Sequence, residues 1–159
     1  MKKAYSILLV EDDADDVFFL TRALERAGVN VPIEVKNDGE AAVVFLREMA
    51  ERLGTSQFLP PRLVLLDLNL PHKRGLDVLR WIRQDSPWKN IQVIVFTSST
   101  SESDIQDAYR LGASSYVVKP SDATTLANFA AHIKDFWLGW NRFPSEPITL
   151  NVFGTRTVI

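Results

Sequence analysis

Carboxylates follow two apolar segments of this sequence without any spacer. The acids are Glu11, Asp12 and Asp13 after residues 8–10, and Asp67 after residues 63–66. Continuous apolar runs of this kind are typical of strands buried in a parallel sheet, and the carboxyl ends of such strands form the ligand site of open α/β folds. Clustered carboxylates repel one another unless a cation joins them, and Mg²⁺ binds one or two carboxylates together with phosphate oxygens. The acids therefore predict a magnesium site that handles phosphate, whereas a lone acid would more often cap a helix.

Two further apolar segments end in residues that suit a phosphate. Residues 115–118 lead into Lys119 and Pro120, and an ammonium there could bind a phosphoryl oxygen as a point charge. Residues 93–96 lead into Thr97 and a hydroxyl-rich run through Ser101. By itself such a run is more often a turn and a helix cap, so its functional interpretation depends on the other strand ends.

The elements that must position these residues alternate between two periods. Short apolar runs rich in β-branched residues are separated by longer segments with helical spacing, which is typical of βαβ units around a parallel sheet. The predicted strands are 5–10, 32–36, 62–67, 91–96 and 115–119.

Five helices are predicted between and after these strands. The first follows Asp13, which is either its N-cap or a residue of its first turn, and ends at Gly28. The second begins near Asp38 and ends near Leu53. The third follows Gly75 and stops before Pro87, and residues 87–90 then turn the chain. The fourth, at 102–111, has few apolar anchors, and the fifth, at 123–140, has one apolar stripe: Leu126, Phe129, Ile133 and Trp137.

Length and composition restrict the class of protein. A chain of 159 residues supports one core, which we place in residues 1–140, with 141–159 as a C-terminal tail. A net charge of −2 leaves no basic surface for nucleic acid, and no apolar stretch reaches the length of a membrane span. The absence of cysteine suits a reducing cytoplasm. The tail alternates at Ile148, Leu150 and Val152, which predicts either a strand added to a sheet edge, of this chain or of a neighbouring one, or, equally, disorder.

Four segments, taken in order, closely resemble the response-regulator receiver family. They are ILLVEDD at 7–13, LVLLDLNLP at 63–71 with Gly75, VIVFTS at 93–98 and SYVVKP at 115–120. The resemblance extends from residue 5 to about residue 138. It implies a doubly wound, flavodoxin-like α/β fold, with a five-stranded parallel sheet of order 2-1-3-4-5 and helices on both faces.

The resemblance also implies roles for individual residues. Asp67 would be the phosphoacceptor that attacks a phosphohistidine of a sensor histidine kinase. Asp12 and Asp67 would bind Mg²⁺ directly, Glu11 would bind it through water, and Asn69 would bind it through the backbone carbonyl. Lys119 would hold a phosphoryl oxygen, so that charge on the transferred group is neutralised.

The same resemblance implies a switch. The Thr97 hydroxyl would move toward the phosphoryl group, and the Tyr116 ring would turn into the space that it leaves. The output would then be a population shift on the face formed by the fourth helix, the fifth strand and the fifth helix. The Lys119–Pro120 bond would be cis.

A narrower resemblance concerns the partners. Residues 47–62, the aromatic end of the fifth helix and the tail look most like small regulators paired with phytochrome-type kinases. One exposed surface should not carry as much apolar area as the side chains of Trp137, Trp140 and Phe143 provide. This favours either a partner contact or packing by the tail. A homodimer would use the face named above or the tail.

The same residues argue against two other functions. A phosphatase with an aspartyl phosphate normally needs an acid two residues after the nucleophile, and here that residue is Asn69. A receiver-like module that never turns over phosphate is disfavoured by the intact set of Asp12, Asp67, Thr97 and Lys119. We therefore expect a single-domain regulator of a two-component phosphorelay that is no enzyme beyond self-phosphotransfer and autodephosphorylation. It would have no DNA-binding output domain and would signal through protein contacts.

Overall fold

Short strands alternate with helices along the chain, as the apolar pattern predicts. The structure is a computed structural model that describes residues 5–53, 59–144, 149–152 and 155–158, the last two ranges as backbone only. Its strands and α-helices are, in chain order, β1 Ser6–Val10, α1 Ala14–Arg26, β2 Ile33–Lys36, α2 Gly39–Glu51, β3 Pro61–Leu66, α3 Gly75–Gln84, β4 Gln92–Thr97, α4 Glu102–Arg110, β5 Ser115–Val118, α5 Ala123–His132, β6 Thr149–Val152 and β7 Thr155–Val158.

The first five strands form one parallel sheet in the order β2-β1-β3-β4-β5. This is the predicted doubly wound fold. Every residue of β1 is buried, and alternate residues serve opposite layers. Leu8 and Val10 pack with α2 and α3, whereas Ile7 and Leu9 pack with α1 and α5. Two apolar layers therefore hold the strand ends in place.

Side-chain caps set the starts of α1 and α2. The Asp13 carboxylate accepts from the backbone amides of Asp15 and Asp16, and the Asp38 carboxylate accepts from that of Ala41. Of the two positions that the sequence allows for Asp13 the structure shows the N-cap, and the predicted start of the second helix at Asp38 is confirmed. Gly28, at φ 87°, follows the end of α1 in a left-handed conformation that glycine adopts without strain.

The fifth helix differs from the prediction. It is α-helical only to His132 and continues as a π-helical segment, Ile133–Trp140. The wider turn pairs residues five apart, so Ile133 and Leu138 are both buried while Trp140 is 82% exposed. Of the predicted apolar stripe, Ile133 is buried and the other residues are partly buried.

The tail contains strands, but they do not extend the main sheet. β6 and β7 pair with each other in antiparallel fashion and form a separate sheet, so of the alternatives for the tail the strand added to the chain's own sheet is wrong. The start of the tail returns to the sheet: the Phe143 ring lies 5.5 Å from the Tyr5 ring, centroid to centroid, and the Arg62 guanidinium donates to the Pro144 carbonyl. Tail packing therefore accounts for Phe143.

A buried tryptophan lies where only a turn was predicted. Trp88 is 1% exposed, and its indole N–H donates to the Leu46 carbonyl at 2.7 Å. Pro87 to Asn90 thus contribute to the core as well as turning the chain. Across the residues that the structure describes, no helix combines the length and apolarity needed to span a bilayer.

Candidate functional site

The site is built on the residues that follow three strands of one sheet, β1, β3 and β5. Backbone hydrogen bonds continue beyond the strands themselves: the amide of Glu11 donates to Lys36 at 2.9 Å, that of Asp67 to Val10 at 3.0 Å, and that of Lys119 to Thr97 at 2.8 Å. The sheet therefore positions the backbone of each of these residues, so that their side chains lie close enough to contact one another.

Glu11, Asp12 and Asp67 come together as the sequence predicts. Each offers a carboxylate oxygen, and these oxygens all lie within 4.8 Å of one another. Glu11 and Asp67 are buried, while Asp12 is exposed. An all-oxygen donor set with one solvent-facing member fits a hard divalent ion that keeps some of its water, which describes Mg²⁺.

Lys119 reaches into this cluster. Its ammonium lies 2.6 Å from Glu11 Oε2, 2.7 Å from Asp16 Oδ2 and 3.0 Å from Asp67 Oδ2. A lysine ammonium has three N–H donors, so these three carboxylates match its full donor capacity. The strand-end lysine is therefore part of the acidic site.

Burial and ion pairing act on these groups in opposite directions. Burial raises the pKa of Glu11 to about 7, although the hydrogen bond from Lys119 and the Asp13 amide lower it. Burial by itself would lower the pKa of Lys119, but hydrogen bonds to Asp16, Glu11 and Asp67 raise it above its ordinary value. The site therefore holds a permanent cation beside a carboxyl group that takes up a proton readily.

Asp16 is a contact that sequence reasoning missed. It lies in the first turn of α1, where an acid is expected simply because it favours the helix dipole. The sequence signal that could have indicated this contact is the position of Asp16, one helical turn after the acids that follow the first strand. Which way that turn faces depends on how α1 packs against the sheet.

The turn from β3 into α3 passes close to Asp67. The amide of Gly75 donates to the Leu68 carbonyl at 3.0 Å, and a Cβ atom on Gly75 would lie 2.1 Å from the Asp67 carbonyl oxygen. Only glycine permits that approach. In the same turn the amide of Asn69 donates to Asp67 Oδ1 at 3.3 Å, so Asn69 directly neighbours the candidate phosphoacceptor.

The β4 side of the site consists of hydroxyl groups. Thr97 is fully buried, and its Oγ1 accepts from the amide of Ser99 at 3.4 Å. Ser99 Oγ donates to Asp104 Oδ2 at 2.5 Å, and the Tyr116 hydroxyl donates to the Ser99 carbonyl at 2.9 Å. The loop after β4 is thereby joined to both α4 and β5.

One expectation for this region is wrong. None of the peptide bonds in the described part of the chain is cis, so the bond between Lys119 and Pro120 is trans. The two isomers of a bond to proline differ little in free energy. Lys119 reaches the carboxylates with the trans bond.

The structure thus brings Glu11, Asp12, Asp67 and Lys119 together and places Asn69 beside them. Thr97 is joined to Lys119 through the backbone and is linked to Tyr116 through Ser99. The roles that resemblance assigned to these residues remain predictions.

Comparison with known proteins shows which family this chain resembles. Residues 7–131 match the response regulator receiver domain. The chain is 42% identical over 140 residues to the probable methanogenesis regulatory protein FilR2 of Methanothrix harundinacea, and the match covers 88% of both chains.

Two further relatives are known as response regulators. Response regulator Rcp1 of Synechocystis is 36% identical over 132 residues, covering 83% of this chain and 88% of Rcp1. Its Mn²⁺-bound crystal structure has a TM-score of 0.76. The phosphorylated cyanobacterial phytochrome response regulator RcpA has a TM-score of 0.78 at 35% identity, covering 89% of this chain and 99% of RcpA.

Proposed function

Since the chain belongs to the response regulator receiver domain family, we propose that it accepts a phosphoryl group on Asp67 from a sensor histidine kinase. The observation that supports this most strongly is the surroundings of Asp67. A buried carboxylate lies with two others within 4.8 Å and with an ammonium 3.0 Å away. That arrangement offers a nucleophile, a cation site and a partner for a phosphoryl oxygen together.

In the proposed reaction an Asp67 carboxylate oxygen attacks the phosphorus of the kinase phosphohistidine. The new O–P bond forms as the N–P bond breaks, and the imidazole leaves with its electron pair. Both oxygens of Asp67 accept a hydrogen bond in the resting protein, Oδ1 from the Asn69 amide and Oδ2 from the Lys119 ammonium. Lys119, already beside Oδ2, would bind an oxygen of the arriving group.

Glu11, Asp12 and Asp67 are the residues that would hold Mg²⁺, with the Asn69 carbonyl as a further ligand. When bound, the ion would neutralise negative charge on the transferred phosphoryl group. The two buried carboxylates exclude bulk water on the sheet side, while the exposed Asp12 leaves an open side for the kinase phosphohistidine.

The hydroxyl groups on the β4 side of the site are proposed to change conformation when Asp67 is phosphorylated. Thr97 would turn its hydroxyl toward the phosphoryl group, and Tyr116 would follow. Both are tied to Ser99, which bonds to Asp104 in α4. A shift at Ser99 would therefore move α4 against β5 and change the surface that a protein partner contacts.

A phosphatase remains the weaker alternative. Turnover would need a carboxyl group two residues after Asp67 to protonate a leaving group, and Asn69 supplies an amide there. We propose instead that catalysis is limited to the protein's own phosphotransfer and autodephosphorylation.

The partner is proposed to be a phytochrome-type kinase, because RcpA is described as a cyanobacterial phytochrome response regulator. A cytoplasmic location and a homodimer, through the α4–β5–α5 face or the tail, are part of the same proposal. Signalling would then pass through protein contacts that depend on phosphorylation.

Phosphate-affinity electrophoresis after incubation with acetyl phosphate and Mg²⁺ tests the central step. We expect a retarded band in the parent protein and none in Asp67→Asn. Asp77→Asn is the matched control, since Asp77 is an exposed acid in α3 that pairs with Arg80, and it should be retarded like the parent. No retarded band in the parent, or one retained in Asp67→Asn, would refute the proposal.

A further inference from the structure

The three carboxylates around Lys119 differ in what else they must do. In the proposed reaction Glu11 serves the metal site, and Asp67 serves the metal site and becomes esterified. Asp16 is the one of these three partners that has no such duty. Its contact with Lys119, at 2.7 Å, can persist through the reaction while the other two contacts change.

Asp16 is held where this contact requires it. Its backbone amide donates to Asp13 Oδ1 at 3.0 Å, which fixes the first turn of α1. Leu20 and Leu24 bury the same helix against the sheet, at 2% and 0% exposure. The Asp16 side chain is 43% exposed, whereas those of Glu11 and Asp67 are 3% and 5% exposed, so Asp16 is the most solvent-exposed of the three partners.

The charge balance around Lys119 also changes during the reaction. A cation bound by Glu11 and Asp67 would compete with the ammonium for both carboxylates and repel it. The lysine side chain is flexible and its ammonium is strongly hydrated. Without another partner the ammonium would lower its free energy by turning toward solvent. A carboxylate at the rim opposes that movement.

We propose that Asp16 is a positioning residue that keeps the Lys119 ammonium beside Asp67 while the metal and phosphoryl group occupy the site. The inference rests on the proposed function for its role in the reaction. The positioning itself is a property of the resting protein and can be measured without phosphoryl transfer.

The first experiment measures phosphorylation rates with acetyl phosphate and Mg²⁺. Asp16→Ala should slow phosphorylation by about 3- to 10-fold, the range expected for a partly exposed ion pair, and Asp16→Asn, which keeps an acceptor oxygen, should slow it less. Asp15→Ala is the matched control, because Asp15 is an exposed acid in the same turn and is not among the ion-pair partners of Lys119. It should retain the parent rate.

A double-variant cycle separates positioning from a general effect on α1. If Asp16 acts through Lys119, Asp16→Ala should change the rate less than about 2-fold in a Lys119→Met background. An equal slowing in both backgrounds would overturn the proposal, as would a parent rate in Asp16→Ala.

The second experiment measures acetylation of Lys119 by an amine-reactive ester, followed by mass spectrometry, in the absence of phosphoryl donor and metal. Lys119 should react about 3-fold faster in Asp16→Ala than in the parent and at the parent rate in Asp15→Ala. If the parent is not phosphorylated at all, the proposed function fails, yet this measurement still decides the positioning. Unchanged reactivity in Asp16→Ala would refute it.

Discussion

On the β1–β3 side of the candidate site three carboxylates contact one ammonium, whereas on the β4–α4 side neutral hydroxyl groups connect a loop to a helix. We call these the acid side and the hydroxyl side. Both sides begin at strand ends of the same sheet. They differ in how much stability is lost when one contact is broken.

On the acid side the charges are partly or fully buried, so removing one partner leaves another charge without compensation. On the hydroxyl side each bond contributes about 1 kcal/mol net, and a hydroxyl can rotate to a new partner. The comparison indicates that the acid side is suited to holding its groups in one arrangement for catalysis, while the hydroxyl side is suited to a change of conformation.

The largest effect is expected from Lys119→Met. The variant leaves the buried carboxylates of Glu11 and Asp67 without their cation, so the free energy of unfolding in EDTA should fall by about 2 kcal/mol. The loss is smaller than for a fully buried pair because Glu11 can take up a proton. Urea unfolding followed by circular dichroism measures it.

Lys73→Met is the control for that variant. Lys73 pairs with Glu40 at 3.9 Å near the surface, and its loss should cost no more than about 0.5 kcal/mol. Equal stability of the two variants would show that the acid side is no more charge-dependent than the surface.

A smaller effect is expected on the hydroxyl side from Ser99→Ala. It removes the hydrogen bond to Asp104, so the free energy of unfolding should fall by about 1 kcal/mol. The exposed neighbour Ser98 provides the control variant Ser98→Ala, which should leave stability unchanged in the same urea titration. A loss as large as that of Lys119→Met would remove the distinction between the two sides.

The smallest effect, and one with a change of sign, is expected from Asp12→Asn. Asp12 has no ion pair with Lys119 and lies within 4.8 Å of two other carboxylates, so neutralising it in EDTA should stabilise the fold by about 0.5 kcal/mol. In saturating Mg²⁺ the variant should instead be less stable than the parent, because a metal ligand is lost.

Paired urea titrations in EDTA and in Mg²⁺ measure this reversal. Asp15→Asn, an exposed acid outside the cluster, should show the same small difference from the parent in both solutions. A stability change for Asp12→Asn that is independent of Mg²⁺ would contradict the assignment of this cluster as the metal site.

The sheet could be predicted from the sequence because its strands are continuous apolar runs, and no predicted bound of the five strands differs from the observed one by more than one residue. The π-helical segment could not, since an apolar stripe at 133–140 is compatible with two helical periods. The sequence predicts a turn at residues 87–90, whereas the burial of Trp88 depends on the position of α2.

For the candidate site, the sequence alone determined that Glu11, Asp12, Asp67 and Lys119 would meet, because residues that follow parallel strands lie at one edge of a sheet. Tertiary structure decided that Asp16 reaches Lys119 and that Ser99 joins Asp104. Those contacts depend on the rotation of α1 and α4 against the sheet. That rotation is set by packing in the two apolar layers, which no local pattern of residues specifies.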